Sequence, residues 1–223
     1  MEASPHPLLG DVAPEPEPDP GSFRERLLDG LRASIEERGY QETTITDIVR
    51  HARASRRTFY VVFSTKDDCF VALMQSANRK LLRGIAGAVD PTQPWETQAR
   101  EAVEAYFRQV TAEPGLSLSW VREFPALGAV ARDVQREGIT AMTGLVQRLS
   151  DNEQFRRAGL DPVSRETALM ILGGLRELTA TTIEDGLDVR GVAEAGVAAT
   201  LTLLAASRRP DPPATTGRRR SRR

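Results

Sequence analysis

The chain has 223 residues, 40% of them hydrophobic and 27% charged, with 30 bases, 31 acids and a formal net charge of −1. That length accommodates one large or two small domains, and the near-zero balance excludes an affinity for nucleic acid built on bulk charge. One cysteine, Cys69, excludes an intrachain disulfide, and two distant histidines, His6 and His51, form no metal-ligand cluster.

Residues 1–21 hold five acids, no Lys or Arg, and the run PEPEPDP. They can bury too little apolar surface to offset ordering, so a disordered acidic tail is expected, with no apolar core segment of a signal peptide. Ser22 then caps a helix, with Glu25 three residues on. Leu27, Leu28, Leu31 and Ile35 form its stripe and Gly39 ends it.

The stretch from Thr43 to Phe70 is the most informative. Ile45, Ile48, Val49 and Ala52 recur at i, i+3, i+4 and i+7, and Thr44 with Asp47 has capping-box spacing. Only Arg53 and Ala54 separate Ala52 from Ser55, which can cap a short helix, Arg56 to Val61. Phe59 and Phe63 can reach back to the Ile45/Ile48 face, and Thr65 with Asp68 opens another helix. Two helices joined by a tight turn, the second polar on its outer side, form the arrangement that enters a DNA major groove. Arg50, Arg53, Arg56 and Arg57 have no acid between them, and Lys66 follows. A basic run alone is usually a solvated face. Here it coincides with the turn, the caps and the buried-face spacing. Residues 22–66 carry nine bases against six acids, and residues 67–207 fourteen against nineteen. A basic module on an acidic body suits a protein that touches DNA with one end. Arg56, Arg57 and Thr58 occupy the turn nearest base edges, and the Tyr60 hydroxyl can donate to a phosphate.

This segment resembles the DNA-binding region of the TetR family of bacterial repressors. The resemblance rests on Gly39-Tyr40, TTITDI, Ala52, Ser55, Thr58-Phe59-Tyr60, Phe63 and Thr65-Lys66-Asp67-Asp68, and spans about residues 22–74. It implies phosphate contacts at Thr44, Ser55, Tyr60 and Lys66, and a recognition helix carrying Arg56, Arg57 and Thr58. The chain departs from the family at Arg53, where glycine is usual, and at Val49, where alanine is usual. A positive φ at Arg53 would cost on the order of 1 kcal/mol, and Arg53 is then an expected extra DNA contact.

Beyond Lys66 a helix is expected to about Ala88, with Phe70, Leu73, Met74, Ala77 and Leu81 inward, stopped by Pro91 and Pro94. Further helices are expected at about Trp95–Ala112, Leu118–Phe124, Leu127–Leu149, Ser164–Glu184 and Val189–Ala206, with residues 150–163 a polar loop. No strand pattern appears, so the fold class is all-α: a three-helix DNA-binding domain (22–66) and a helical effector-binding and dimerisation domain (67–207). Residues 208–223 carry seven bases and one acid and are expected to be a disordered basic tail. The longest uncharged apolar stretch, Ala195 to Ser207, is too short to span a bilayer, so a soluble cytoplasmic protein is expected.

The last two helices are apolar on most sides, through Leu169, Leu172, Leu175 and Leu178 and through Ala195, Ala198, Ala199, Leu201 and Leu203. Such helices are either central core or a subunit interface, and the resemblance implies a homodimer through them. No catalytic motif is present, and neither an enzyme nor a cofactor or metal site is expected. Trp95, Tyr106, Phe107, Trp120, Phe124, Met142 and Met170 are each ordinary core residues taken singly. As a set they suit the wall of a cavity for a hydrophobic or amphipathic effector, with Arg122, Glu123 and Arg176 as candidates for its polar end. The leading expectation is a dimeric repressor on a near-palindromic operator, released by a small molecule. The alternative is a DNA-binding architectural protein without small-molecule control.

Overall fold

A computed structural model describes residues 22–208. The acidic tail expected over residues 1–21, and the basic tail beyond Arg208, lie outside the described residues. The helices are α1 (Phe23–Glu42), α2 (Ile45–His51), α3 (Arg56–Val62), α4 (Lys66–Ala88), α5 (Trp95–Ala112), α6 (Pro114–Arg122), α7 (Ala129–Ser150), α8 (Glu153–Arg157), α9 (Arg165–Glu184) and α10 (Ala193–Ala205). Short 3-10 turns cover Phe124–Leu127 and Val189–Val192. Among the described residues there is no strand, only an isolated bridge between Leu160 and Arg208.

The helix starts follow their caps. Ser22, Thr44, Ser55, Thr65 and Ser164 each accept a hydrogen bond from the amide three residues on, and Thr44 and Thr65 complete reciprocal boxes with Asp47 and Asp68. Gly39 kinks α1 rather than ending it, with φ 79 and ψ 164. One more turn follows, because Tyr40 is buried there and stacks on Phe70 with centroids 3.9 Å apart. Its hydroxyl donates to Asp67.

Two regions differ from expectation. α6 begins at Pro114, well before Leu118: proline suits the first helical turn, and Glu36 of α1 accepts from the amides of Gly115 and Leu116 at 3.1 and 2.8 Å. Phe124 then lies in the 3-10 turn. Within residues 150–163, α8 forms on an Asn152 cap and buries Phe155, with Leu160 and Val163 buried after it. Phe155 packs against Trp95 at 5.9 Å, which anchors the segment to the body.

Two apolar clusters hold the chain. One gathers Leu27, Leu28, Leu31 and Ile35 of α1 with Ile48, Phe59, Phe63 and Phe70, and takes in Leu116 of α6, Phe124 of the 3-10 turn, and Ala131 and Val134 of α7. The DNA-facing helices are therefore seated on the body, as their small core requires. α1 crosses α2 so closely that a Cβ on Gly30 would lie 2.4 Å from the Ile48 carbonyl oxygen. The other cluster joins Leu82, Ile85, Val103, Phe107, Leu145, Phe155, Leu175, Val197 and Leu204. α10 enters it at Gly196, where a Cβ would lie 2.7 Å from the Phe107 ring.

Candidate nucleic-acid interface and ligand cavity

α2, the turn at Arg53 and α3 form the expected hairpin, with Phe59 fully buried and α3 turned outward. Ser55, Arg56, Arg57 and Tyr60 are exposed and Thr58 is half-buried. Arg53 has φ 47, the one positive φ outside glycine among the described residues. Among those residues the guanidinium groups of Arg53, Arg56 and Arg57 form no ion pair or hydrogen bond, so all three are free to meet an anion. Val61 was not singled out in the sequence, yet it is 79% exposed on the same face as Arg57, four residues earlier. An outward valine on a recognition helix can pack on a thymine methyl. Its signal was an apolar residue interrupting the polar side.

Other cations in the region are committed within the fold. Arg50 pairs with Glu37 at 3.1 Å and Asp47 at 3.6 Å, and His51 Nε2 lies 3.0 Å from Glu37. The hydrogen bond from His51, then that from Arg38, holds the Glu37 carboxyl below its usual range. Thr44 is exposed, but its hydroxyl and amide already donate to Asp47 at 2.6 and 3.0 Å. Lys66 departs most from expectation. Its ammonium donates to the carbonyls of Tyr40 and Thr43, both at 2.9 Å, and of Gln41 at 3.5 Å, and sits 4.2 Å from the Tyr40 ring centre. All its donors are occupied, so Lys66 fastens α4 to the end of α1 instead of reaching out to a phosphate.

In the body, a cleft of about 110 Å³, partly open to solvent, lies between α4, α5, α6, α7 and α9. Tyr106, Trp120 and Met142 line it, together with Met74, Leu81, Val110, Ile139 and Leu172, which the sequence did not mark. The other expected wall residues lie elsewhere. Trp95 packs on Phe155, and Phe107 packs on Gly196 in the body cluster. Phe124 is fully buried in the DNA-end cluster, stacked behind Trp120 at 5.0 Å. Met170 is 56% exposed on the outer side of α9. Of the polar candidates, Arg176 lines the cleft. Arg122 instead forks onto Glu177 and Glu184 at 2.7–3.0 Å, tying α6 to α9, and Glu123 is not on the wall. Burial pushes the Tyr106 hydroxyl up to about 12, against the opposing effects of Thr179 and Arg176.

A second cavity of about 70 Å³ adjoins the first and is bounded by apolar side chains such as Ile85, Val103, Leu145 and Phe155. Tyr106, Met142 and Leu172 belong to both walls and form the partition. Cys69 is fully buried, and burial pushes its thiol up to about 12, so it is an unreactive core residue. Among the described residues no helix is long and apolar enough to cross a membrane.

A helical hairpin with free arginines on its outer helix, set on an all-helical body with a mostly apolar cleft, defines a DNA-binding transcriptional regulator. Residues 27–73 match the family model of bacterial regulatory proteins, tetR family, so the DNA-binding end of this chain is a TetR-family domain. No curated protein gives a significant match over the chain. Among solved structures, the fatty acid degradation regulator FadR from Bacillus halodurans is 20% identical, with a TM-score of 0.71 over 86% of this chain and 100% of its own. FadR from Bacillus subtilis in complex with stearoyl-CoA is 14% identical, with a TM-score of 0.68 over 81% and 97%. A TetR transcription regulator from Haloarcula marismortui is 13% identical, with a TM-score of 0.70 over 83% and 97%. At these identities the likeness is one of fold.

Proposed function

We propose that the chain is a cytoplasmic, dimeric repressor that binds a near-palindromic operator and leaves it when an amphipathic small molecule enters the α4–α9 cleft. The observation that carries this reading is the course of α4. Its first turn is fastened to the end of α1 by Lys66 and to the apolar cluster of the DNA-binding end by the buried Cys69 and Phe70, while its Met74, Ala77, Asn78 and Leu81 form cleft wall. One rigid element thus reports the cleft to the DNA-binding end. The division into a DNA-binding part at 22–66 and an effector and dimer part at 67–207 follows the same break. A filled core would favour the architectural alternative, and the cleft weighs against it.

Dimerisation is supported by the outer faces of α9 and α10. Leu169, Met170, Gly173 and Gly174 are exposed on one, and Ala195, Ala198 and Ala199 on the other. This uncharged, small-residue surface lets a second pair of helices approach closely. The base-reading set is Arg56, Arg57, Thr58 and Val61, and the phosphate set is Arg53, Ser55 and Tyr60. The stearoyl-CoA bound to the Bacillus subtilis FadR supports an amphipathic effector for a cleft on this fold.

The test is selection of a preferred duplex from random DNA, followed by titration at fixed salt. A preferred site with two-fold symmetry is expected. Arg57→Ala should cost about 1–3 kcal/mol on that site and less on random DNA, as removal of a guanine contact would. Equal affinity for all duplexes would overturn the reading.

A further inference from the structure

The cleft carries a positive charge that its own wall leaves unanswered. Three ionised side chains line it: Lys80, Glu113 and Arg176. Glu113 is already shared between Lys80 at 3.3 Å and Arg32 of α1 at 3.2 Å. Arg176 forms no hydrogen bond or ion pair among the described residues. The adjacent carboxylate, Glu177, is taken by both terminal nitrogens of Arg122 at 3.0 and 2.7 Å. Leu172, Arg176 and Thr179 follow one another at i, i+4 and i+7, which sets Arg176 on the cleft side of α9.

The polar atoms around Arg176 offer it little. The Thr179 hydroxyl donates to the Leu175 carbonyl at 2.8 Å, so it receives the Tyr106 hydroxyl, 3.3 Å away, as an acceptor. The charge of Arg176 is felt at that buried hydroxyl. A half-buried guanidinium that no side chain of a mostly apolar wall hydrogen-bonds is a vacancy for an anion, and its planar fork matches a carboxylate.

The rest of the space suits a chain. Met74, Leu81, Trp120 and Ile139 surround the first cavity, and beyond the partition the second is almost wholly apolar, with Gln98, Ser150 and Thr200 the polar residues of its wall. Two of the three partition residues are aliphatic, and Met142 is unbranched and can swing aside by bond rotation. A flexible alkyl chain fits such a passage better than a rigid ring system.

We propose that the cleft binds a long-chain carboxylate, with its head on Arg176 and its alkyl chain running past Tyr106, Met142 and Leu172 into the second cavity. This rests on the effector-controlled reading and adds the charge, the length and the anchor of the ligand. It prefers the free acid to its coenzyme A thioester, because the thioester presents a neutral carbonyl where Arg176 calls for a charge.

The experiment is calorimetric titration of the full-length protein with dodecanoate, dodecan-1-ol and dodecanoyl-CoA, in the wild type and in Arg176→Gln, Arg176→Lys and Met142→Trp. Wild type should bind dodecanoate at least about tenfold more tightly than the alcohol, the scale of one charge-assisted contact. Arg176→Gln should erase that preference, and Arg176→Lys should keep most of it. Met142→Trp should weaken both compounds, while an unchanged melting curve for each variant shows intact folding. The proposal is overturned if the alcohol binds as tightly as the acid, if Arg176→Gln keeps the preference, if the thioester binds more tightly than the acid, or if none of the three binds. The effector reading fails separately, if saturating dodecanoate binds and leaves DNA affinity unchanged.

Discussion

Arg53 stands in the turn between α2 and α3 with φ 47, a conformation that costs a residue with a Cβ on the order of 1 kcal/mol. Its side chain is exposed and unpaired among the described residues, so nothing within the fold offsets that cost. A phosphate would. Arg53→Gly should therefore raise stability by about 1 kcal/mol in denaturant melts and lower the slope of log affinity against log salt by about 1. A slope that stays unchanged would mean the strain is kept for no DNA contact. Lys66 behaves oppositely. Its ammonium holds three backbone carbonyls, and Lys66→Ala would leave partly buried acceptors unmet, a loss of about 1–3 kcal/mol of stability. The melting midpoint should fall while the salt slope holds. A slope reduced by about 1 at constant stability would restore Lys66 to the phosphate set. The strain at Arg53 was legible in the sequence, because two residues between helices leave little choice of backbone. The role of Lys66 was not, because a lysine in a basic cluster reads the same whether it faces phosphate or carbonyl.

Among the elements, the crossing of α1 over α2 fixes how the hairpin is presented. It depends on Gly30, where a Cβ would meet the Ile48 carbonyl oxygen at 2.4 Å and the Ala52 amide nitrogen at 3.0 Å. Gly30→Ala gains up to about 1 kcal/mol of helix propensity. The clash is with backbone, so no side-chain rotation relieves it, and overpacking costs about 1–3 kcal/mol. The loss should win: reduced stability, and DNA affinity reduced further as α2 and α3 shift. A variant that melts higher and binds as wild type would refute the close crossing. Gly30 was invisible in the sequence, since a glycine inside an amphipathic helix shows no partner. The caps at Ser22, Thr44, Ser55 and Thr65 were legible because each is a local pattern of two residues three apart. α6 was misread because its start depends on a distant group, Glu36 on α1, and α8 because its five residues are too few to show a period and its Phe155 finds its partner in Trp95 on α5. The cavity was half legible for the same reason. Aromatic and methionine content marked the wall, but only helix packing decided that Tyr106, Trp120 and Met142 face the space while Trp95, Phe107, Phe124 and Met170 do not.

At the scale of the whole molecule, the proposed dimer brings two recognition helices to one face of DNA, and half-sites about one helical turn, ~34 Å, apart are then required. Sedimentation should give a dimer at micromolar concentration, and a monomer would remove the palindromic site with it. In the proposed mechanism release works through geometry: a ligand wedged against Met74, Ala77 and Leu81 would tilt α4 and, through the Lys66 fastening, move each hairpin relative to its twin. A second route runs through α6, whose Leu116, Ser117 and Trp120 line the cleft and whose first turn is held by Glu36 of α1. Either route needs only about 1–3 kcal/mol of coupling, and the coupling must be reciprocal: operator DNA should weaken effector binding by the same factor that effector weakens operator binding. Met142→Trp separates binding from coupling. It fills the partition without touching α4's fastening, so effector affinity should fall while effector-free operator affinity stays within about twofold, the range expected when no DNA contact is altered. Titrating operator against protein with and without effector, in both proteins, closes the cycle. Unequal coupling factors measured from the two directions would show that effector and operator do not act on one shared two-state equilibrium.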